Sequence, residues 1–172
     1  MQRASLVALV ALFSLPAFGA GTMASSADAA FAKKAAEGGM AEVACGQLAS
    51  DKGTDADVKA FGQRMVTDHS KANDDLKAAA MKSGIDLPTE PSKKQQDDKA
   101  KLEKMSGADF DRHYMTMMVK DHEEDVALFR KEAQSGKDDN LKQFAQKTLP
   151  TLEEHLSMAK KTSQELKSEG KR

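Results

Sequence analysis

Apolar residues recur along most of this chain at intervals of three and four, the period of a helix that buries one face. Over 30–51 the stripe is Phe31, Ala35, Gly38, Cys45 and Leu48. Thr54, with Asp57 three residues later, has the form of a capping box with Asp in the usual Glu position. A second stripe follows through Val58, Phe61, Met65, Ala72, Leu76 and Ala79, and Ser83-Gly84 ends it. The segment 85–107 is different. Its prolines, Pro88 and Pro91, favour extended or turning backbone, and Ser92 with Gln95 then caps a short polar helix holding only Leu102 and Met105. Ser106 and Asp109 open a third long helix with Met115, Met118, Val126, Phe129 and Ala133 on one face, stopped at Ser135-Gly136. Asp138 and Asp139 suit the N-terminus of a last helix, where the dipole favours negative charge. That helix carries Leu141, Phe144, Thr148, Leu152, Leu156, Ala159 and Leu166, with Pro150 inside it as an expected kink.

The pattern predicts an all-α fold: a four-helix bundle over 30–168, with a frayed tail at 169–172. The 85–107 connection is long enough to return along the bundle, as in a ferritin-like crossover. The second and third long helices would then run parallel, with the short extra helix between them.

Residues 1–29 have another character. Arg3 precedes the uncharged run Leu6–Leu15, Pro16 breaks it, and small residues follow. This is the form of a secretory signal peptide, too short for a spanning helix, with cleavage expected after Gly19 or Ala29. The mature chain is expected in the periplasm or secreted, without a membrane span.

Composition narrows the function classes. The 172 residues carry 26 Lys and Arg against 27 Asp and Glu. That balance gives no basic footprint for nucleic acid. A single cysteine excludes an internal disulfide framework. Cys45 lies on the first stripe and reads as a small buried hydrophobe, with an intermolecular disulfide as the lesser alternative. The serines lack a nucleophile-elbow context, so hydrolysis has little support. Protein partners are not legible, and the oligomeric state is left at monomer or homodimer.

Each long helix places one polar residue on its own apolar stripe: Glu42, His69, His122 and His155. Burial of such groups without partners is costly, so the four call for a shared explanation. His69 and His122 each lie 14 residues into their expected helices, starting from 55 and 108. In parallel helices their rings would share a level. At ~1.5 Å per residue, His155 is offset from His122 by ~5 Å and Glu42 from His69 by ~7 Å. One carboxylate and three imidazoles converging there would suit zinc, iron or copper. The neighbouring acids Asp68, Asp121 and Glu154 are either partners for the imidazole N–H groups or solvated surface charges. A metal-free reading stands beside this one: the four groups satisfy each other by hydrogen bonds and water, and set helix register. His113 reads as a rim residue. Met115, Met117 and Met118 read as core gap-fillers, with soft copper ligation the alternative.

Several segments resemble one bacterial family. Phe61…Arg64-Met65-Val66…Asp68-His69, Gly107…Phe110-Asp111…Tyr114-Met115, Met118-Val119…Asp121-His122 and Lys147-Thr148-Leu149-Pro150…Glu154-His155 resemble the motifs of the domain-of-unknown-function 4142 family. So does Gly38-Gly39-Met40-Ala41-Glu42. The resemblance implies an exported, ferritin-like helical bundle and no established activity. Ferritin-like di-iron proteins use Glu-x-x-His pairs. Here Val66, Val119 and Leu152 stand three before each histidine, which removes that motif and with it any expectation of ferroxidase chemistry.

Two functions follow as expectations. One is an exported bundle binding a single divalent transition metal through Glu42, His69, His122 and His155. The other is a non-catalytic envelope or stress-related protein whose buried polar residues are structural.

Overall fold

A computed structural model describes residues 24–169, and these residues contain helices and no strand. The helices are α1 (Ser26–Lys52), α2 (Ala56–Lys82), α3 (Lys93–Glu103), α4 (Gly107–Ser135) and α5 (Asp139–Glu169). The signal-peptide reading falls almost wholly outside the described residues. Its second cleavage point, after Ala29, lies inside the first turn of α1, which begins four residues earlier than the stripe suggests.

That early start has a clear cause. Ser25 Oγ accepts from the Asp28 N–H at 3.2 Å while Asp28 Oδ2 accepts from the Ser25 N–H at 2.7 Å, a reciprocal cap. Asp28 Oδ1 accepts the Lys137 N–H at 2.9 Å, tying this end to the turn between α4 and α5. The next helix is capped differently from the expected Thr54 box. Asp55 is the N-cap of α2, accepting from the Asp57 and Val58 N–H groups at 2.8 and 3.1 Å. Thr54 instead donates, through both its N–H and its hydroxyl, to buried Asp111 of α4. The Asp55 N–H joins them at 2.9 Å. Ser92 and Gln95 do form the expected capping box of α3. Ser106 precedes α4 without a side-chain cap, and Asp109 pairs with Arg112.

These caps also fix direction. Asp111, near the start of α4, holds the start of α2. At the other end Ser83, just after α2, donates to Asp138, just after α4, at 2.7 Å. Helices α2 and α4 therefore run the same way. The connector with α3 returns along the outside, lying over α1 and α4, where the Lys52 ammonium donates to the Glu103 carbonyl. Helices α1 and α2 pack as one antiparallel hairpin and α4 and α5 as another. Where α1 meets α2, Gly46 and Gly62 face each other. A Cβ on either would lie 2.7–2.8 Å from the other's carbonyl oxygen, so only glycine permits this backbone approach.

The apolar interior is divided into two blocks. One holds Phe31, Leu76, Phe129, Leu141, Phe144 and Leu152. The other holds Phe61, Met65, Phe110, Tyr114, Met118 and Leu166. Each long helix contributes to both, and the polar residue on its stripe falls between its two contributions.

At the Asp28 end a second group of buried acids gathers: Asp28, Glu132 and Asp138. Burial, reinforced by the Asp28 carboxylate beside it and by Asp138, pushes the Glu132 carboxyl up to about 7, against a small opposing effect of Lys131. Asp28 moves down. Burial would raise it, but the Lys137 and Ser25 N–H groups outweigh that effect. A carboxyl raised in the native state binds protons that the unfolded chain has released, so stability falls as pH rises through that interval. The interval runs from the ordinary 4.5 to about 7 for Glu132. Glu132→Gln keeps the donor to Asp28 and removes the titration. In denaturant melts the variant is expected to gain on the wild type between about pH 5 and pH 7. A constant difference across that range would refute the assignment.

Candidate metal centre

Between the two apolar blocks lie the four groups singled out on the stripes. Glu42 (α1), His69 (α2), His122 (α4) and His155 (α5) are all buried, the last two with no exposed surface. One ring nitrogen from each histidine lies within 4.8 Å of the others, and among the described residues these three form a metal-capable group. Ring centroids are 5.3–5.7 Å apart. Glu42 bridges two of the rings, with Oε2 2.7 Å from His69 Nε2 and Oε1 3.2 Å from His122 Nδ1. The His69 approach is close but lacks the alignment of a hydrogen bond, so both Glu42 oxygens and His69 Nε2 remain without a hydrogen-bond partner. That contact is one of charge.

The outer partners of two rings decide which nitrogens face inward. His122 Nδ1 lies 3.0 Å from the Met118 carbonyl, and both that oxygen and the Glu42 carboxylate can only accept. The proton is therefore on Nδ1, leaving Nε2 with a lone pair. His155 Nε2 lies 2.8 Å from Asp68 Oδ2, again an acceptor, which leaves Nδ1 bare. These two bare nitrogens face each other at 3.4 Å. Two lone pairs at that distance repel unless a cation or a proton lies between them.

Electrostatics agree with these assignments. Burial lowers His122, and burial together with the other two histidines takes His155 down to about 4, against the pull of Asp68. Both rings are neutral at physiological pH. Burial would lower His69 too, but Glu42 reverses the sign and raises it. Burial likewise opposes ionisation of Glu42, and the surrounding imidazoles overcome it and hold the carboxyl low. Without a metal, the Glu42 carboxylate favours the protonated form of His69.

The three neighbouring acids take different places. Asp68 touches His155 and is itself held by Arg64 Nε at 3.1 Å. Glu154 is exposed and reaches the site only through Arg64, at 2.7 Å. Asp121 contacts no imidazole and lines, with Glu42, a cavity beneath α3. His113 is exposed on a shallow surface cleft, and Met115 and Met118 are packed in the core. Cys45 is buried, and burial followed by the Asp121 and Glu42 charges pushes its thiol up to about 12, far from a reactive thiolate.

Two further polar residues belong to this layer. Asn73 and Asp125 line a small cavity with His69. A Cβ at Gly39 would overlap Asn73 Oδ1, so that glycine leaves the space the Asn73 side chain occupies. Burial, then the Glu42, Asp121 and Glu124 charges, drives the Asp125 carboxyl well up. Helical spacing alone would have found both, since Asn73 is four after His69 and Asp125 three after His122.

Comparison with known proteins adds fold and family. No curated protein sequence matches this chain. The chain is similar in structure to a DUF305 fragment from Deinococcus radiodurans, known from its crystal structure. The TM-score is 0.72 at 10% identity, over 83% of this chain and 98% of that one, a likeness of fold alone. The family described as Domain of unknown function (DUF4142) matches residues 14–162. With the stripes, the motifs and the helical architecture all in accord, the chain belongs to the DUF4142 family.

Proposed function

We propose that this protein is an exported, ferritin-like four-helix bundle, with α3 as the extra helix in its crossover. It binds one divalent transition-metal ion (zinc, iron or copper) through His69, His122 and His155, with Glu42 supplying charge or a fourth ligand. One observation carries the reading: His122 Nε2 and His155 Nδ1 face each other 3.4 Å apart, with the outer partners of both rings assigning the protons to the opposite nitrogens. Two imidazole nitrogens bound to one tetrahedral ion at ~2.0–2.1 Å stand about 3.3 Å apart. The buried Glu42 carboxylate supports it further, because neither oxygen has an aligned hydrogen bond and its charge suits a cation. Asp68 orients His155 in the way a carboxylate orients a metal-bound imidazole. Export rests on Arg3, the Leu6–Leu15 run and the small residues after Pro16. Among the described residues no helix is long and apolar enough to cross a membrane.

The metal-free reading has its own support in the Glu42–His69 charge pair, which gives the layer a means of neutralising itself. Calorimetric titration with zinc and with copper, on protein purified from the periplasm without a histidine tag, separates the two. One saturable equivalent per chain is expected. Absence of saturable binding by both ions would leave the structural network as the function of the layer.

A further inference from the structure

If the layer binds an ion, the ion needs a way in, and most sides are closed. The outer side of His155 is covered by Asp68, with Arg64 spanning Asp68, Glu154 and the Met158 sulfur. On the His69 side the cavity is smaller, about 10 Å³, and its polar residues Asn73, Asp125 and Thr148 sit among Leu76, Phe129, Phe144 and Leu152. The third side is different. Under α3, between α1 and α4, lies a chamber of about 20 Å³ lined by Glu42, Cys45, Gln95, Asp98, Met117 and Asp121, among others. That is room for about one water. Glu42 belongs to the chamber and to the histidine layer at once. Its carboxylate is buried, without an aligned hydrogen bond, and in contact with two of the three rings.

The roof of this chamber is weakly held. Leu102, toward the C-terminal end of α3, is the helix's buried residue. The opposite end, over the chamber, is held by the Ser92–Gln95 cap and by the partly exposed Lys94–Asp98 pair at 2.8 Å. Exposed pairs of this kind contribute little, so few strong contacts hold this end of α3 over the chamber.

We propose that the chamber beneath α3 is the route by which the cation reaches the histidine layer. The carboxylates of Asp98 and Asp121 and the thioether of Met117 meet the ion first, and Glu42 hands it on to the rings. This rests on the metal reading above and adds its kinetics. An ion shed of its water step by step needs oxygen donors along the way, and Asp98, Asp121 and Glu42 line this chamber together.

The test is rapid-mixing measurement of zinc association with the mature protein, with affinity measured separately by calorimetry. Ala41 lines the chamber, and Ala72 lines the smaller cavity on the His69 side. Ala41→Leu is expected to slow association and dissociation about tenfold with affinity unchanged within about twofold. Ala72→Leu should leave both rates alone. Gln95→Ala removes the cap and the side chain over the chamber, and should speed association several-fold. This last substitution lies on the outer helix and serves if Ala41→Leu melts early. Unaltered rates in Ala41→Leu and Gln95→Ala, or slowing by Ala72→Leu alone, would overturn the route while leaving the metal site standing. Wild type that takes up no zinc at calorimetric concentrations overturns the site itself.

Discussion

Zinc at about a hundred times its dissociation constant is expected to stabilise the protein by ~2.7 kcal/mol, since the ligand set exists only in the folded state. For a chain of this size that corresponds to a rise of roughly 10 °C in Tm. His122→Ala should abolish the shift, because it removes a bare nitrogen that no other group can replace. Its effect without metal distinguishes the readings. If the layer evolved to hold an ion, losing one neutral ring relieves the facing lone pairs and costs no more than an ordinary core truncation. If the layer is a self-contained network, the substitution strips a partner from Glu42, and the apo protein loses stability heavily. Thermal melts of both proteins, with zinc and with chelator, read all four corners. Acidification should weaken the zinc effect, because bound imidazoles must be unprotonated.

A comparable loss is expected far from the metal centre. Asp111 is buried, and it accepts hydrogen bonds from both the N–H and the hydroxyl of Thr54 and from the N–H of Asp55. These are the groups that start α2, so one carboxylate of α4 closes the turn between α1 and α2. Asp111→Ala takes the charged acceptor from the partly exposed Thr54 and Asp55 donors, at a cost of about 2 kcal/mol in total. Denaturant unfolding of the metal-free protein should show the midpoint fall without a change in slope. Asp111→Asn, which keeps an acceptor but no charge, should lose less. A loss below about 1 kcal/mol for Asp111→Ala would mean that water replaces the carboxylate.

The four polar residues of the central layer were legible because helical periodicity predicts facing, and because one polar residue interrupted each apolar stripe. Matching depths of His69 and His122 followed from counting, since both helices start at nearly the same level. What escaped was everything set by contacts across the chain. Asp111 reads in sequence as one more acid near a helix start, and only the fold brings Thr54 to it from 57 residues away. Asp28, Glu132 and Asp138 likewise look solvated until three chain segments meet. The neighbours of the histidines show the same limit. Asp68, Asp121 and Glu154 each sit one residue before a ring, in equivalent sequence positions. Yet Asp68 reaches a histidine of another helix, Glu154 reaches only Arg64, and Asp121 faces the underside of α3. Which of the three touches an imidazole depends on the helix packed alongside, information a single stripe does not contain.

The division of the layer between the two hairpins has a consequence for the chain as a polymer. Glu42 and His69 belong to one sequence-local half, and His122 and His155 to the other. The halves are joined covalently only through the stretch that carries α3. A bound ion would be a second join, across the seam and reversible. Were the backbone cut in the proline-containing stretch after Ser83, each fragment would keep two of the four groups and half of each apolar block. The fragments would then behave as a split protein whose reassembly is governed by metal supply.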